Sequence, residues 1–174
     1  MNPNGTPFPR ATHSELVSIA IRYLKRKWAV VIISEMSGGG GEEADAIGWI
    51  SGFSTMIECK ASISDFKADS KKPFRRIPEN GMGNYRYYLT PPGLKIEVPD
   101  KWGHIVWAGK QYLHLKKAEF QESSDKAENL TLLSLIRRIG RKKISGCGIR
   151  AYTYETKNKA RCYIDVCPEC PISA

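Results

Sequence analysis

The sequence predicts a single-domain α/β protein, and three observations support this fold class. Apolar residues recur with helical spacing in two segments, near residues 12–28 and 127–140. Short runs of β-branched and aromatic residues lie between these segments. The chain has 174 residues, the length of one domain with an appendage. We therefore expect alternating helices and strands, followed by a β-hairpin extension near the C-terminus.

The first helix is expected to begin at a capping box formed by Thr12 and Glu15. Its buried face is predicted from apolar residues at helical spacing: Leu16, Ile19, Ala20, Tyr23, Leu24 and Trp28. A β-branched strand should follow at residues 29–34. The glycines at 38–41 then predict a flexible loop before the next strand.

A β-hairpin is predicted to carry Asp45, Glu58 and Lys60, because glycine interrupts two apolar runs between them. If the hairpin is centred on Gly52 and Phe53, Asp45 lies opposite Lys60 and Glu58 lies on the diagonal. Alternate residues share a face of a strand, so all three side chains then point the same way. A slip of one residue would move Asp45 to the other face.

Two carboxylates beside a lysine suit a hard divalent cation and a water molecule to be activated. The alternative is a buried salt-bridge cluster within a sheet. Three other acid-x-Lys matches occur, at Asp65, Asp69 and Glu155. The first two lie in a charged segment that we expect to be solvated, and Glu155 has no upstream acid on a partner strand. Only Glu58 follows a run that should be buried.

A short basic helix is expected to begin at Ser62 or Ser64 and to continue to about residue 72. Further strands are expected at residues 85–89, 105–108 and 111–115, and as a C-terminal hairpin at residues 149–155 and 160–166. The second long helix should run from about residue 127 to Gly140.

The net charge of +9 and the pI near 9.4 indicate a polyanionic partner, with nucleic acid the first candidate. Residues expected to contact a DNA backbone follow the acidic hairpin: Lys67, Lys71, Lys72, Arg75, Arg76 and Arg86. Tyr87 and Tyr88 could stack on unpaired bases, although core packing is an equally good interpretation.

The composition also bears on compartment and assembly. No apolar stretch approaches the ~20 residues of a membrane span, so no membrane partner is expected. The N-terminus lacks the features of a signal peptide, and residues 1–11 are interpreted as a disordered lead. Five cysteines without a secretion signal favour a reducing cytoplasm. Nothing in the sequence indicates a homodimer.

The order of helix, strand, acid-bearing hairpin, helix and strand resembles that of the PD-(D/E)XK nucleases, also called restriction-endonuclease-like. The segments around Asp45, Glu58, Asp65 and Tyr85 also resemble small bacterial and phage proteins of the MmcB-like DNA-repair type. The resemblance covers about residues 10–120. It departs from the usual motif where alanine replaces the proline before the first acid.

This resemblance implies a restriction-endonuclease-like core, α-β-β-β-α-β around a mixed central sheet flanked by helices, within residues 12–140. It also implies a Mg²⁺- or Mn²⁺-dependent nuclease that hydrolyses DNA in the cytoplasm of a bacterial or phage-infected cell. Two other functions stay open. One is a DNA-binding module of the same fold without cleavage chemistry, and the other is a nuclease directed at RNA.

The resemblance also implies roles for individual residues. Asp45 and Glu58 would hold the metal, with the carbonyl oxygen of Cys59 as a third ligand. Lys60 would orient the attacking water or stabilise charge on the phosphate. Glu15 lies where many members carry a catalytic glutamate on the first helix. Its alternative role is to cap its own helix.

Other polar residues are expected to be less important for the site. Glu35 follows the first strand and could reach the acids, although a surface position is the simpler expectation. The histidines at 13, 104 and 114 are scattered and are interpreted as structural.

Residues 141–174 form a basic, cysteine-containing extension. Cys167 and Cys170 have the Cys-x₂-Cys spacing of a zinc knuckle, and the predicted hairpin brings Cys147 near Cys167. Three cysteines and an unidentified fourth ligand would make a Zn²⁺ site. The alternative is that these are free cysteines on an ordinary hairpin.

Overall fold

The structure is a computed structural model that describes residues 11–36, 41–140, 149–156 and 159–166. Its helices are α1 (His13–Arg26), α2 (Ile63–Asp69), α3 (Pro73–Arg76) and α4 (Asp125–Gly140), with a 3₁₀ turn at Pro78–Asn80. Its strands are β1 (Val31–Ser34), β2 (Ala46–Ile50), β3 (Phe53–Cys59), β4 (Tyr85–Thr90), β5 (Gly103–Trp107), β6 (Tyr112–Lys116), β7 (Ile149–Thr156) and β8 (Lys159–Val166).

Strands β1 to β6 form one mixed sheet in sequential order, and this confirms the predicted α/β class. The pairs β1–β2, β2–β3 and β5–β6 are antiparallel, whereas β3–β4 and β4–β5 are parallel. Parallel neighbours require a long crossover, and α2 and α3 lie in the one that joins β3 to β4. Strands β7 and β8 form a separate antiparallel pair where the sequence predicts a hairpin. No helix among the described residues has the length and apolar character needed to cross a membrane.

Helix α1 covers one face of the sheet. The capping box forms as predicted: Thr12 Oγ1 accepts from the backbone N–H of Glu15, and the Glu15 carboxylate accepts from the Thr12 backbone. Leu16, Ala20 and Leu24 are fully buried on the sheet-facing side. The apolar stripe read from the sequence therefore anchors α1, except at its end, where Trp28 is 85% exposed.

The opposite face of the sheet holds a second core around Met56 and Tyr88. Ile47 and Trp102 pack there as well, and Tyr88 stacks on Trp102 with ring centroids 4.6 Å apart. Ala127 of α4 belongs to the same cluster. Since Glu58 shares its face with Met56, the acidic residue faces this second core rather than α1.

The β2–β3 hairpin turns at Ser51 and Gly52, not at Gly52 and Phe53 as predicted. Both turn residues have positive φ, 49° and 88°, as a two-residue type I′ turn requires. Ala46 pairs with Ile57, and this register continued places Asp45 opposite Glu58 rather than opposite Lys60. The strand pairing differs from the predicted register by two residues. Because this number is even, the Asp45 side chain still points to the predicted face of the sheet.

Candidate active site

Lys60 lies at the centre of a buried cluster of acids. Its Nζ is 3.0 Å from Glu58 Oε2, 3.4 Å from Asp69 Oδ1 and 3.9 Å from Asp45 Oδ2. The sequence predicted contacts with Asp45 and Glu58, which the structure brings together at this ammonium. Asp69 is an additional acid that the sequence reasoning placed in solvent.

Asp45 ties the start of β2 to the end of β3. Its Oδ2 accepts a 2.6 Å hydrogen bond from the backbone N–H of Cys59, and its side chain is 16% exposed. The Cys59 side chain packs on the α1 face of the sheet, so only its backbone is available to the acidic site. Asp45 thus stabilises the hairpin and is also partly exposed to solvent.

Glu58 is fully buried. Its Oε1 lies 3.1 Å from Arg75 Nη2, but this contact lacks hydrogen-bond geometry, so Oε1 accepts no hydrogen bond from the described residues. Burial raises the pKa of Glu58 to about 7, although the charges of Arg75 and Lys60 act in the opposite direction. Glu58 Oε1 therefore has an ion-pair contact but no hydrogen bond, and the carboxylate has a tendency to take up a proton.

Asp69 is buried and shares its two oxygens among four partners. Oδ2 accepts from Arg75 Nε at 2.8 Å and from the Tyr88 hydroxyl at 2.7 Å. Oδ1 is 2.9 Å from Lys72 Nζ and 3.4 Å from Lys60 Nζ. Burial by itself would raise the pKa of Asp69, but the hydrogen bond and charge of Arg75 outweigh it and lower the pKa.

The expectation that Asp69 is solvated was therefore wrong. One signal could have shown its position: Phe66 lies three residues earlier on α2, hence on the same face of that helix. Phe66 packs edge-on against Tyr88, with ring centroids 5.0 Å apart. An apolar ring on a short charged helix indicates the face that turns inward.

The side chain of Arg75 is also buried, with 3% exposed, which corrects its predicted role as a contact to the DNA backbone. Its guanidinium pairs with Glu42 at 2.6 Å as well as with Asp69 and Glu58, and it lies over the Trp102 ring. Glu42, which the sequence reasoning missed, also accepts a hydrogen bond from a backbone N–H in the loop before β4. A buried guanidinium needs such partners, because an unpaired one would be strongly destabilising.

Arg86 is likewise fully buried and is not a surface contact as expected. Its guanidinium donates to backbone carbonyls of the preceding loop and of the segment before α4: Pro78, Gly81, Gly83 and Glu122. It therefore organises the loop that closes over the second core. Of the other predicted basic contacts, Lys67, Lys71 and Arg76 are exposed, and Lys72 is half-exposed.

Glu15 occupies the capping position and is exposed, as its alternative interpretation described. The residue of α1 that reaches the acids is instead His13, whose Nε2 is 3.5 Å from Asp45 Oδ1. Glu35 Oε1 lies 3.6 Å from the same nitrogen. His13 and Glu35 therefore both lie at the margin of the acidic cluster.

Two tyrosines and a histidine that were considered for the site pack within the fold. Tyr88 is buried against Trp102, and Tyr87 packs beside Tyr23. His104 Nε2 forms a hydrogen bond with the Thr90 hydroxyl on the neighbouring strand. The three cysteines considered for zinc, at 147, 167 and 170, lie outside the described residues.

An open cleft borders the cluster on the Asp45 side. Its lining includes His13, Glu35, Glu43, Asp45, Lys72 and Phe74. The acidic residues that the hairpin brings together are therefore reachable from solvent through Asp45, while Glu58 and Lys60 lie behind it.

Asp45 and Glu58 are the residues whose carboxylate oxygens could serve as ligands to a hard divalent cation. Within the described ranges, no three His, Cys, Asp or Glu side chains converge as a complete metal site. Magnesium needs only one or two carboxylates, because it retains several waters. Asp45 opens on the cleft, and Glu58 Oε1 is a buried acceptor without a hydrogen bond.

Comparisons with known proteins give a likeness of fold. No protein-family profile matches the chain, and no curated protein is significantly similar in sequence. A solved structure of a protein of unknown function from Silicibacter pomeroyi is similar, with a TM-score of 0.56 and 18% sequence identity. The match covers 75% of this chain and 90% of that one. At this identity the likeness concerns the fold alone.

Proposed function

We propose that this protein is a Mg²⁺-dependent nuclease that hydrolyses DNA phosphodiester bonds. The observation that carries the proposal is the convergence of Asp45 and Glu58 on the ammonium of Lys60, beside a cleft. Asp45 also ties β2 to β3 through the backbone N–H of Cys59, and it still lines the cleft, where a metal ion could reach it.

The order of elements supports the proposal at the level of fold. The chain runs α1-β1-β2-β3, crosses over through α2 and α3, and returns in β4 parallel to β3. The resemblance to PD-(D/E)XK nucleases implies an α-β-β-β-α-β core around a mixed sheet, and the observed order of elements supports that expectation. The acids also fall at the start of the second strand and the end of the third, as in the motif of that superfamily.

The charge balance of the cluster supports it as well. Four carboxylates take part in its ion pairs, namely Glu42, Asp45, Glu58 and Asp69, against the cations Lys60, Lys72 and Arg75. With all groups ionised, one negative charge is in excess, and a bound cation would favour this form over the neutral one in which Glu58 is protonated. A bound divalent ion would reverse the sign of the excess and favour a phosphate.

In this proposal Asp45 and Glu58 hold the metal, with the Cys59 carbonyl as a further ligand. The metal, when bound, supplies Lewis-acid polarisation of the phosphate and a water of lowered pKa. Lys60 donates hydrogen bonds to the phosphate or to the attacking water. Burial disfavours the Lys60 ammonium, but Glu58, Asp69 and Asp45 outweigh this and raise the pKa of Lys60, so it is a donor rather than a base.

Cleavage assays test the proposal directly. Wild-type protein is incubated with single-stranded, double-stranded and branched DNA, and with RNA, in Mg²⁺, Mn²⁺ or EDTA. We expect metal-dependent cleavage of DNA and a loss of at least about 100-fold in Lys60→Met and Asp45→Asn. Cleavage by Lys60→Met at the wild-type rate would overturn the mechanism. Binding without cleavage would favour a DNA-binding module that lacks cleavage chemistry. A preference for RNA would favour an RNA-directed nuclease.

Metal binding has its own test. A ligand that binds only the folded state stabilises it, by about 2.7 kcal/mol at a hundredfold excess over Kd. Thermal melts with Mn²⁺ should therefore raise the Tm of wild type more than that of Asp45→Asn. Equal shifts in the two proteins would remove Asp45 from the metal site.

A further inference from the structure

The acidic cluster contains a second lysine, contributed by the turn between α2 and α3. Lys72 Nζ is 2.9 Å from Asp69 Oδ1 and 3.6 Å from Glu58 Oε2. Lys60 Nζ contacts these same two oxygen atoms, at 3.4 and 3.0 Å. Two ammonium groups from different elements are thus held side by side on one pair of carboxylate oxygens.

The two lysines differ in their access to solvent. The Lys60 side chain is 4% exposed, whereas that of Lys72 is 42% exposed. Lys72 also lines the cleft together with Asp45 and His13. A phosphate entering this cleft would therefore meet the ammonium of Lys72 before that of Lys60.

Asp69 holds Lys72 in a defined position. Arg75 donates to both Asp69 carboxylate oxygens, to Oδ2 at 2.8 Å and to Oδ1 at 3.3 Å, and the Tyr88 hydroxyl also donates to Oδ2, so the carboxylate that the two lysines contact through Oδ1 is held in place. The backbone of Lys72 is also held, because its N–H donates to the Asp69 carbonyl at 3.0 Å. An exposed lysine normally samples many rotamers, and this arrangement removes part of that freedom in advance.

We propose that Lys72 is a second catalytic lysine that contacts the scissile phosphate from the cleft, and that Asp69 is the positioning residue for the lysine pair. The inference rests on the proposed nuclease function and assigns one further residue to its site. It separates Lys72 from the neighbouring basic residues Lys67, Lys71 and Arg76, whose charges would only attract the DNA backbone. A charge fixed beside the reacting phosphate acts on the transition state and hence on kcat.

A purely structural role for Lys72 has a different consequence. A half-exposed ion pair contributes little to stability, so its loss should leave both folding and the reaction almost unchanged. A role as a general DNA contact would weaken binding and change the salt dependence without changing the rate at saturating DNA. The proposed catalytic role predicts a lower rate at saturating DNA with little change in DNA binding.

The test compares Lys72→Met with Lys71→Met, an exposed neighbour that loses the same charge and length. Single-turnover cleavage is measured at saturating DNA in Mg²⁺, and Kd for the same duplex is measured in EDTA. We expect Lys72→Met to lower the rate about 100-fold or more. Its Kd should change no more than that of Lys71→Met, and Lys72→Arg should recover part of the rate. Thermal melts verify that each variant is folded.

Each outcome decides the inference. Equal rates for Lys72→Met and Lys71→Met would overturn it, and so would a Lys72→Met effect confined to Kd. If Lys72→Arg is as slow as Lys72→Met, the charge at this position is not what matters and the proposal also fails. Absence of cleavage by the wild type would overturn the proposed function and this inference together, whereas wild-type cleavage with equal variants would overturn only the inference.

Discussion

Glu58 is a carboxylate without exposed surface, and its protonation should couple to folding. Burial raises its pKa in the folded protein to about 7, from an ordinary value of 4.5. Between these two pH values the folded state binds more protons than the unfolded state. The contribution of Glu58 to stability therefore decreases as pH rises from about 4.5 to about 7. Asp69 has a lowered pKa, so its contribution is lost only on acidification below that range.

The first prediction concerns this pH dependence. In EDTA, wild type should lose stability between pH 5 and pH 8, by on the order of 2 kcal/mol. Glu58→Gln cannot titrate and should lack this loss. Urea unfolding of both proteins at several pH values provides the comparison. Parallel curves would show that Glu58 is ionised throughout and that Arg75 and Lys60 outweigh its burial.

At the scale of elements, contacts at the N-terminus of α1 distinguish the two roles considered for Glu15, which are helix capping and catalysis. Its carboxylate accepts from Thr12 N and Oγ1 at 2.7 and 2.9 Å, and these hydrogen bonds lower its pKa. Thr12→Ala should cost about 1 kcal/mol of stability, and Glu15→Ala should also lower the Tm. Neither change should affect the cleavage rate. A rate loss in Glu15→Ala that Thr12→Ala does not share would restore Glu15 to the catalytic set.

The β2–β3 turn is the element that sets the register of Asp45 against Glu58. Gly52 has a φ of +88°, and an added Cβ would meet no atom within 4 Å. Gly52→Ala should therefore cost about 1 kcal/mol through backbone strain alone. Ser51→Gly should be neutral or stabilising, since Ser51 also has positive φ. Denaturant unfolding of the two variants gives both values, and a neutral Gly52→Ala would argue against the type I′ turn.

At the scale of the molecule, the cations behind the net charge of +9 are not all available to a polyanionic partner. The side chains of Arg75 and Arg86 are buried, and Lys60 is enclosed by acids. The exposed basic residues that follow β3 in sequence are Lys67, Lys71 and Arg76. They belong to the crossover that also supplies Asp69 and Lys72 to the site, so we expect DNA to approach along this surface.

The last prediction therefore concerns salt. Replacing Lys67, Lys71 and Arg76 with glutamine should reduce the slope of log K against log salt by about 0.9 per lost phosphate contact. The control replaces Lys25, Lys101 and Lys117, which are exposed and remove the same charge. Lys101 and Lys117 lie at the opposite end of the sheet, before β5 and after β6. Equal slopes in the two triple variants would mean that DNA does not use the crossover surface.

The sequence by itself determined those features that depend on local pattern. Helix α1 and its cap follow from apolar spacing and from Thr12 with Glu15, and the sheet strands follow from short β-branched runs. The face shared by Asp45, Glu58 and Lys60 follows from the two-residue period of a strand. The exact turn was mispredicted, although the sequence carried a sign of it: Ser-Gly is a common turn dipeptide, whereas Phe53 is a strand-forming residue. The period of two preserved the face despite that error.

Only the tertiary structure decided which charged residues are buried. Phe66 gives a sign of the burial of Asp69, but no comparable sign accompanies Arg75 or Arg86 in the sequence. Burial of such ions is tolerable only where partners from distant segments meet them, as Glu42 meets Arg75 and as backbone carbonyls meet Arg86. Those partners are brought together by the parallel crossover from β3 to β4. A local pattern in the sequence does not contain that information, because the contacts that compensate each charge are non-local.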